Sequence, residues 1–229
     1  MLNGKLIIAH RGARAYEKEN TIAAFKIAIK QKADMIEFDV RKTKDNKMIV
    51  FHDEKIASKE TKDMSYQEIM NKLGSDVPTL EETLKFLSGK IKVVIHLKEN
   101  GYTNEVIELI LKYFRKSEII IISEIEDQLK KIKENYPEIK TGLVMDAGIK
   151  NICLYAAGCF TKNDILNSRV DYLVIRWQLI NRAFFKKAKK YSLLVFPWEI
   201  RDKELAERFL KEDVVKGIIT NKPDLMKRY

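Results

Sequence analysis

The chain has 229 residues, 45% of them hydrophobic and 33% charged, a composition that excludes an intrinsically disordered protein. Four prolines and nine glycines provide no linker-like stretch, so one domain over residues 1–229 is expected. The net charge of +10 would suit an anionic partner, but the lysines are dispersed, as in KKIKENYPEIK and FFKKAKK, and no basic stripe is interleaved with aromatics. That pattern argues against a nucleic-acid partner and for a solvated surface, with peripheral contact with an anionic membrane as the other use of the charge.

The opening MLNGKLIIAH runs straight into a strand at 5–10 and lacks the apolar core of a secretory leader. A helix, TIAAFKIAIKQ, follows, with Asn20 or Thr21 as its cap. A second strand spans 34–40, and after the turn KDN comes a further extended piece, KMIVFHD. Thr79 caps the helix TLEETLKFLS. Strands at 92–98, 119–123 and 140–145 alternate with the helices TNEVIELILKYFRK and EDQLKKIKENY. Cys153 and Cys159, six apart and without further ligands nearby, read as reduced thiols, which suits a cytoplasmic protein. Strands at 171–176, 193–198 and 217–220 complete the series, with the helices RAFFKKAKKY and ELAERFLKED between them, the second capped by Asp202. The longest aliphatic run, IIII at 119–122, is too short to span a bilayer.

Eight strands alternating with helices imply an α/β fold, a (β/α)8 TIM barrel. A doubly wound open sheet is the competing topology, but no glycine-rich nucleotide fingerprint follows any strand. In a barrel the functional groups sit at the C-terminal ends of the strands. All three histidines, His10, His52 and His96, fall at such ends. His10 is followed by Arg11, a bidentate partner for phosphate, and by Gly12. In DMIEFDV, Glu37 and Asp39 are two apart and share a face. Two carboxylates side by side repel unless a cation lies between them, and carboxylate oxygens suit Mg²⁺ or Ca²⁺. An ion-pair network with Arg11, Arg41 or Lys98 would also account for them. In KVVIHLKEN, His96 and Lys98 repeat the two-apart geometry. Two histidines beside a cation, an arginine and a lysine suit phosphoryl chemistry.

The motifs HRG, ENT, EFDV and FHD, in this order, resemble the glycerophosphodiester phosphodiesterase family. VPTLEETL, LVFPWEI and GIITNKPDL extend the resemblance over nearly the whole chain, with a compact segment between FHD and VPTL. The resemblance implies a (β/α)8 barrel that hydrolyses a small-molecule glycerophosphodiester to glycerol phosphate and an alcohol. It implies His10 and His52 as the acid/base pair, and Glu37 and Asp39 as ligands of a divalent metal. Arg11 and Lys98 become phosphate contacts and Trp198 a wall of the glycerol pocket. Attack by the glycerol hydroxyl, through a cyclic phosphate, and direct attack by water both remain open.

The chain departs from the family pattern at three places. His96 stands where the family carries a glutamate metal ligand, so the metal ligands become Glu37, Asp39 and His96. Imidazole favours Mn²⁺ or Zn²⁺ over Mg²⁺ or Ca²⁺. Glu99 points to the other face of a regular strand. After Trp198 the chain reads Glu199-Ile200-Arg201, where an acid could meet a cationic headgroup or be a solvated loop residue. In SEI at 123–125, Glu124 takes the place of an aromatic. Arg176 is a further phosphate contact or a partner of Asp171 or Glu199. Two other readings follow: a barrel that binds a phosphodiester or phospholipid headgroup without turnover, and a phospholipase D-like enzyme acting on lysophospholipids.

Overall fold

A computed structural model describes residues 4–74, 76–146 and 169–226. The expectations on Cys153 and Cys159 lie outside these residues. Eight parallel strands form one sheet: β1 (Leu6–His10), β2 (Met35–Lys42), β6 (Lys92–Leu97), β7 (Ile119–Ser123), β8 (Lys140–Met145), β9 (Tyr172–Arg176), β10 (Leu194–Trp198) and β11 (Gly217–Thr220). Their order is β10-β9-β8-β7-β6-β2-β1-β11. The two ends then meet. Val195 N–H donates to the Val214 carbonyl at 2.8 Å, Lys216 N–H to the Val195 carbonyl at 3.0 Å and Ile200 N–H to the Ile219 carbonyl at 2.9 Å. The sheet is thus a nearly closed barrel, as the alternation of strands and helices requires.

The helices α1 (Ile22–Lys30), α3 (Leu80–Leu87), α4 (Thr103–Leu111), α5 (Glu126–Asn135), α6 (Arg182–Lys190) and α7 (Lys203–Leu210) follow the sequence expectation to within a few residues, the largest difference being the earlier end of α4. Thr79 caps α3 through a reciprocal pair with Glu82, and the Asp202 carboxylate accepts from Leu205 N–H at 2.8 Å. A short excursion after β2 holds β3 (Met48–Val50), the hairpin β4 (Lys55–Ile56) and β5 (Lys59–Glu60), and α2 (Tyr66–Leu73). Helix α2 has a Ser65–Glu68 capping box that the sequence reading passed over. Ile49, Ile56, Met64, Ile69 and Val77 form its small core.

Strand parity divides the main core in two. Ile7, Ala9, Ile36, Phe38, Val93 and Ile95 face outward, against helix residues such as Phe25, Leu84 and Ile110. Ile8, Met35, Val94, Ile120, Ile122, Val174, Phe196 and Ile219 point into the barrel and fill it. Two residues further along the chain, the same inward face carries His10, Glu37, His96, Glu124, Arg176, Trp198 and Asn221. An apolar plug thus closes the barrel floor, and the polar groups stand on top of it at the C-terminal rim.

Candidate active site

The site begins with the two acids of β2. Glu37 is 2% exposed and Asp39 is fully buried. Burying two carboxylates costs several kcal/mol each unless they are paired. His96 and Arg11 supply the compensation, and Arg11 reaches both acids. Its backbone N–H donates to Glu37 Oε2 at 2.9 Å, and its Nε lies 3.1 Å from Asp39 Oδ2. Its guanidinium also reaches Glu19 Oε1 at 2.7 Å. Arg11 has a φ of 53°, and Gly12 after it has a φ of 80° and packs against Ala24, which is why a glycine stands there. The turn brings the Arg11 side chain back over the barrel mouth.

The two candidate caps of α1 divide the work. Thr21 accepts from Ala24 N–H at 3.2 Å, while the Asn20 amide donates to Asp39 Oδ2 at 2.9 Å. His96, one strand over on β6, directs Nδ1 at both acids, 3.2 Å from Asp39 Oδ1 and 3.8 Å from Glu37 Oε1. Glu37, Asp39 and His96 each offer a ligand atom, all within 4.8 Å of one another. Asp39 Oδ1 is buried with no hydrogen-bond partner. A buried carboxylate oxygen without a donor is what a cation between these groups would satisfy. The donor set, two carboxylates and one imidazole nitrogen, fits a divalent metal.

The electrostatics follow from crowding. Burial, and then the Asp39 charge, push Glu37 up to about 7. Burial works against ionisation of Asp39 as well, but the adjacent His96 and Arg11 outweigh it and hold its carboxyl well below the usual range. Burial alone would lower His96, yet the Glu124 carboxylate and Asp39 beside it push the imidazole up to about 9. Glu124 follows β7; its Oε2 is 2.7 Å from His96 Nε2, and its Oε1 accepts from Lys98 Nζ at 3.1 Å. Lys98 Nζ is also 4.0 Å from Asp39 Oδ1. Glu99 turns to the other face and pairs with Arg41, as strand parity requires.

The other two histidines flank this cluster. His10 Nδ1 lies 2.8 Å from Asn221 Oδ1, and the Asn221 amide donates to Glu199. Glu199 is therefore joined to His10 and not a solvated loop residue; its Oε2 is 3.7 Å from His10 Nδ1. Burial, reinforced by Arg11, pushes His10 down to about 3. With an amide oxygen at Nδ1, the proton of the neutral ring belongs on that nitrogen, leaving the Nε2 lone pair for chemistry. His52 is reached by the extended piece after β3, which Phe51 N–H ties to the Asp39 carbonyl at 3.1 Å. Arg41 Nε donates to the His52 carbonyl at 2.8 Å, and His52 Nδ1 is 2.8 Å from Asp53 Oδ1. Burial also lowers the His52 imidazole, partly offset by Asp39.

Trp198 closes one side of the mouth, with its ring centroid 6.0 Å from that of His10. The Arg176 guanidinium lies 5.0 Å from the Trp198 ring centroid and is paired with Asp146 at 2.5 Å. The partners considered for Arg176 in the sequence are otherwise engaged, Asp171 with Lys133 and Lys140 and Glu199 with Asn221.

The profile of the glycerophosphoryl diester phosphodiesterase family matches residues 10–225. The chain belongs to this family. A glycerophosphodiester phosphodiesterase of Caldanaerobacter subterraneus is 32% identical over 243 residues, covering 96% of each chain. One of Bacillus subtilis is 28% identical over 262 residues, covering 96% of this chain and 84% of its own. The crystal structure of a glycerophosphodiester phosphodiesterase from Thermotoga maritima superposes with a TM-score of 0.79 at 25% identity, over 96% of both chains. The family is one of phosphodiester hydrolases.

The structure thus brings His10, Arg11, Glu37, Asp39, His52, His96, Lys98 and Trp198 to one rim. Two further residues there, Glu124 and Asn221, received no role from the sequence. Both lie two positions past an inward apolar residue, Ile122 and Ile219, and that parity is the signal that would have found them.

Proposed function

We propose that the protein hydrolyses glycerophosphodiesters to glycerol phosphate and an alcohol, with a divalent cation held by Glu37, Asp39 and His96. The observation that carries this reading is the buried, unbonded Asp39 Oδ1, facing His96 between two histidines that each have one ring nitrogen engaged. When bound, the cation supplies Lewis-acid polarisation of the phosphoryl group and cancels the Glu37–Asp39 repulsion. Arg11 and Lys98 hold the phosphate oxygens, and Arg11 is kept in place by Asp39 and Glu19. His10, neutral because it is buried, accepts a proton at Nε2 from the attacking hydroxyl. His52, oriented by Asp53 and partly open to solvent, delivers a proton to the leaving alcohol oxygen. Trp198 forms an apolar wall against the carbon face of the glycerol.

The test is glycerol phosphate release from glycerophosphocholine and glycerophosphoethanolamine by metal-stripped protein. Mg²⁺, Ca²⁺, Mn²⁺ or Zn²⁺ is then added back singly. Turnover restored by a divalent ion and lost in Asp39→Ala supports the proposal. Retained activity in Asp39→Ala refutes the cation assignment, and folded protein without turnover under any metal refutes the hydrolysis.

A further inference from the structure

The imidazole of His96 has two nitrogens with different surroundings. Nδ1 faces the Glu37–Asp39 pair, and Nε2 faces Glu124 at 2.7 Å. A carboxylate at hydrogen-bond distance fixes one ring proton on Nε2. Nδ1 is then the nitrogen left to meet the two carboxylates, and a cation lying among them would take its lone pair in place of a proton. A carboxylate that grips the far nitrogen of a ligating histidine sets the tautomer, fixes the ring plane and raises the basicity of the ligating nitrogen.

Resting on the cation reading above, we propose that Glu124 is a positioning residue that makes His96 Nδ1 a metal ligand and tilts the site towards borderline transition ions. Three features carry this. Glu124 contacts neither Glu37 nor Asp39 among the described hydrogen bonds and ion pairs, so its route to the cation runs through His96. Its second oxygen holds Lys98 Nζ at 3.1 Å, which fixes the carboxylate plane and leaves Oε2 for the histidine. Asp39 Oδ1, the atom nearest to His96 Nδ1, has no hydrogen bond of its own. Mg²⁺ and Ca²⁺ prefer oxygen donors throughout, whereas Zn²⁺ and Mn²⁺ accept imidazole. A Glu124-supported imidazole therefore raises affinity for the second pair.

The measurement is Zn²⁺ and Mg²⁺ binding by titration calorimetry on the metal-stripped full chain, for wild type, Glu124→Gln and Glu124→Ala. It is paired with the ¹⁵N spectrum of the imidazoles. With only three histidines the spectrum is assigned by His96→Gln. Roughly 10- to 100-fold weaker Zn²⁺ binding is expected in Glu124→Ala, with a smaller loss in Glu124→Gln and little change for Mg²⁺. The wild-type spectrum should show Zn²⁺ at Nδ1 of His96 with the proton on Nε2. Glu124 is about a third exposed, and the isosteric Glu124→Gln guards against a folding defect. Wild-type affinity in both variants, or Zn²⁺ at Nε2, overturns the proposal while leaving the cation site standing. No binding to wild type overturns both.

Discussion

Replacing Glu37 by glutamine should stabilise the metal-free protein at pH 8 and change little below pH 4.5. Burial and the neighbouring Asp39 raise Glu37 from 4.5 to about 7. A carboxyl raised on folding contributes stability that is fully present below its unfolded value and is lost as pH rises through its folded value. Glutamine imitates the protonated form at every pH and still offers an oxygen to Arg11 N–H. Wild type and variant should therefore agree below about pH 4.5 and separate up to about pH 7. At about 1.4 kcal/mol per pH unit the full separation is about 3 kcal/mol. For a chain of this size that corresponds to a rise in Tm of about 6–12 °C. Circular-dichroism melts of chelator-treated protein across pH 4.5 to 8 read this directly. Cation at a thousandfold excess over Kd should reverse the order, because wild type then gains about 4.1 kcal/mol and the variant gains much less. A variant that melts at or below wild type at pH 8 without metal, or an offset independent of pH, would refute the reasoning.

His10→Ala and His52→Ala should each lower kcat by about 10²- to 10⁴-fold. Melting of His52→Ala, whose side chain is partly exposed, should stay near wild type, as calorimetry would show. Because burial lowers His10, the acid-side fall of kcat/KM at saturating metal should lie well below 6.5, and an acid limb at 6.5 or above would contradict the assignment of the base. Gly12→Ala places a Cβ 2.8 Å from Ala24 Cβ at a φ of 80°. It should cost on the order of 2–4 kcal/mol in urea unfolding and depress activity through the displaced His10–Arg11 turn.

The barrel was legible because its signals are local: apolar runs of strand length, helices with caps, and rare histidines placed at strand ends. Helix α2 was missed although Ser65 and Glu68 form a capping box, because its eight residues bury only Ile69 and its apolar stripe is short. At the site, parity was enough to set Glu37 beside Asp39 and to turn Glu99 away. The partners were not legible, since they join strands distant in sequence. Nothing in the order of residues says that Glu124 meets His96, 28 positions away, or that Arg176 chooses Asp146 over Asp171 or Glu199. The two departures from the family pattern at 96 and 124 are in contact, a relation that only the rolled-up sheet reveals.

The hydrogen bond between His10 and Asn221 spans 211 positions and crosses from β1 to the end of β11. The Glu37, Asp39 and His96 cluster, by contrast, stands on the neighbouring strands β2 and β6, which are paired directly. In the proposed mechanism, ion capture and proton transfer thus depend on different parts of the ring. A chain ended before Gly217 would keep the sheet pair that carries the proposed ion ligands but lose the amide that sets which nitrogen of His10 is protonated. Turnover would in that sense be a report on the last strand: the histidine is set only once β11 has docked beside β1.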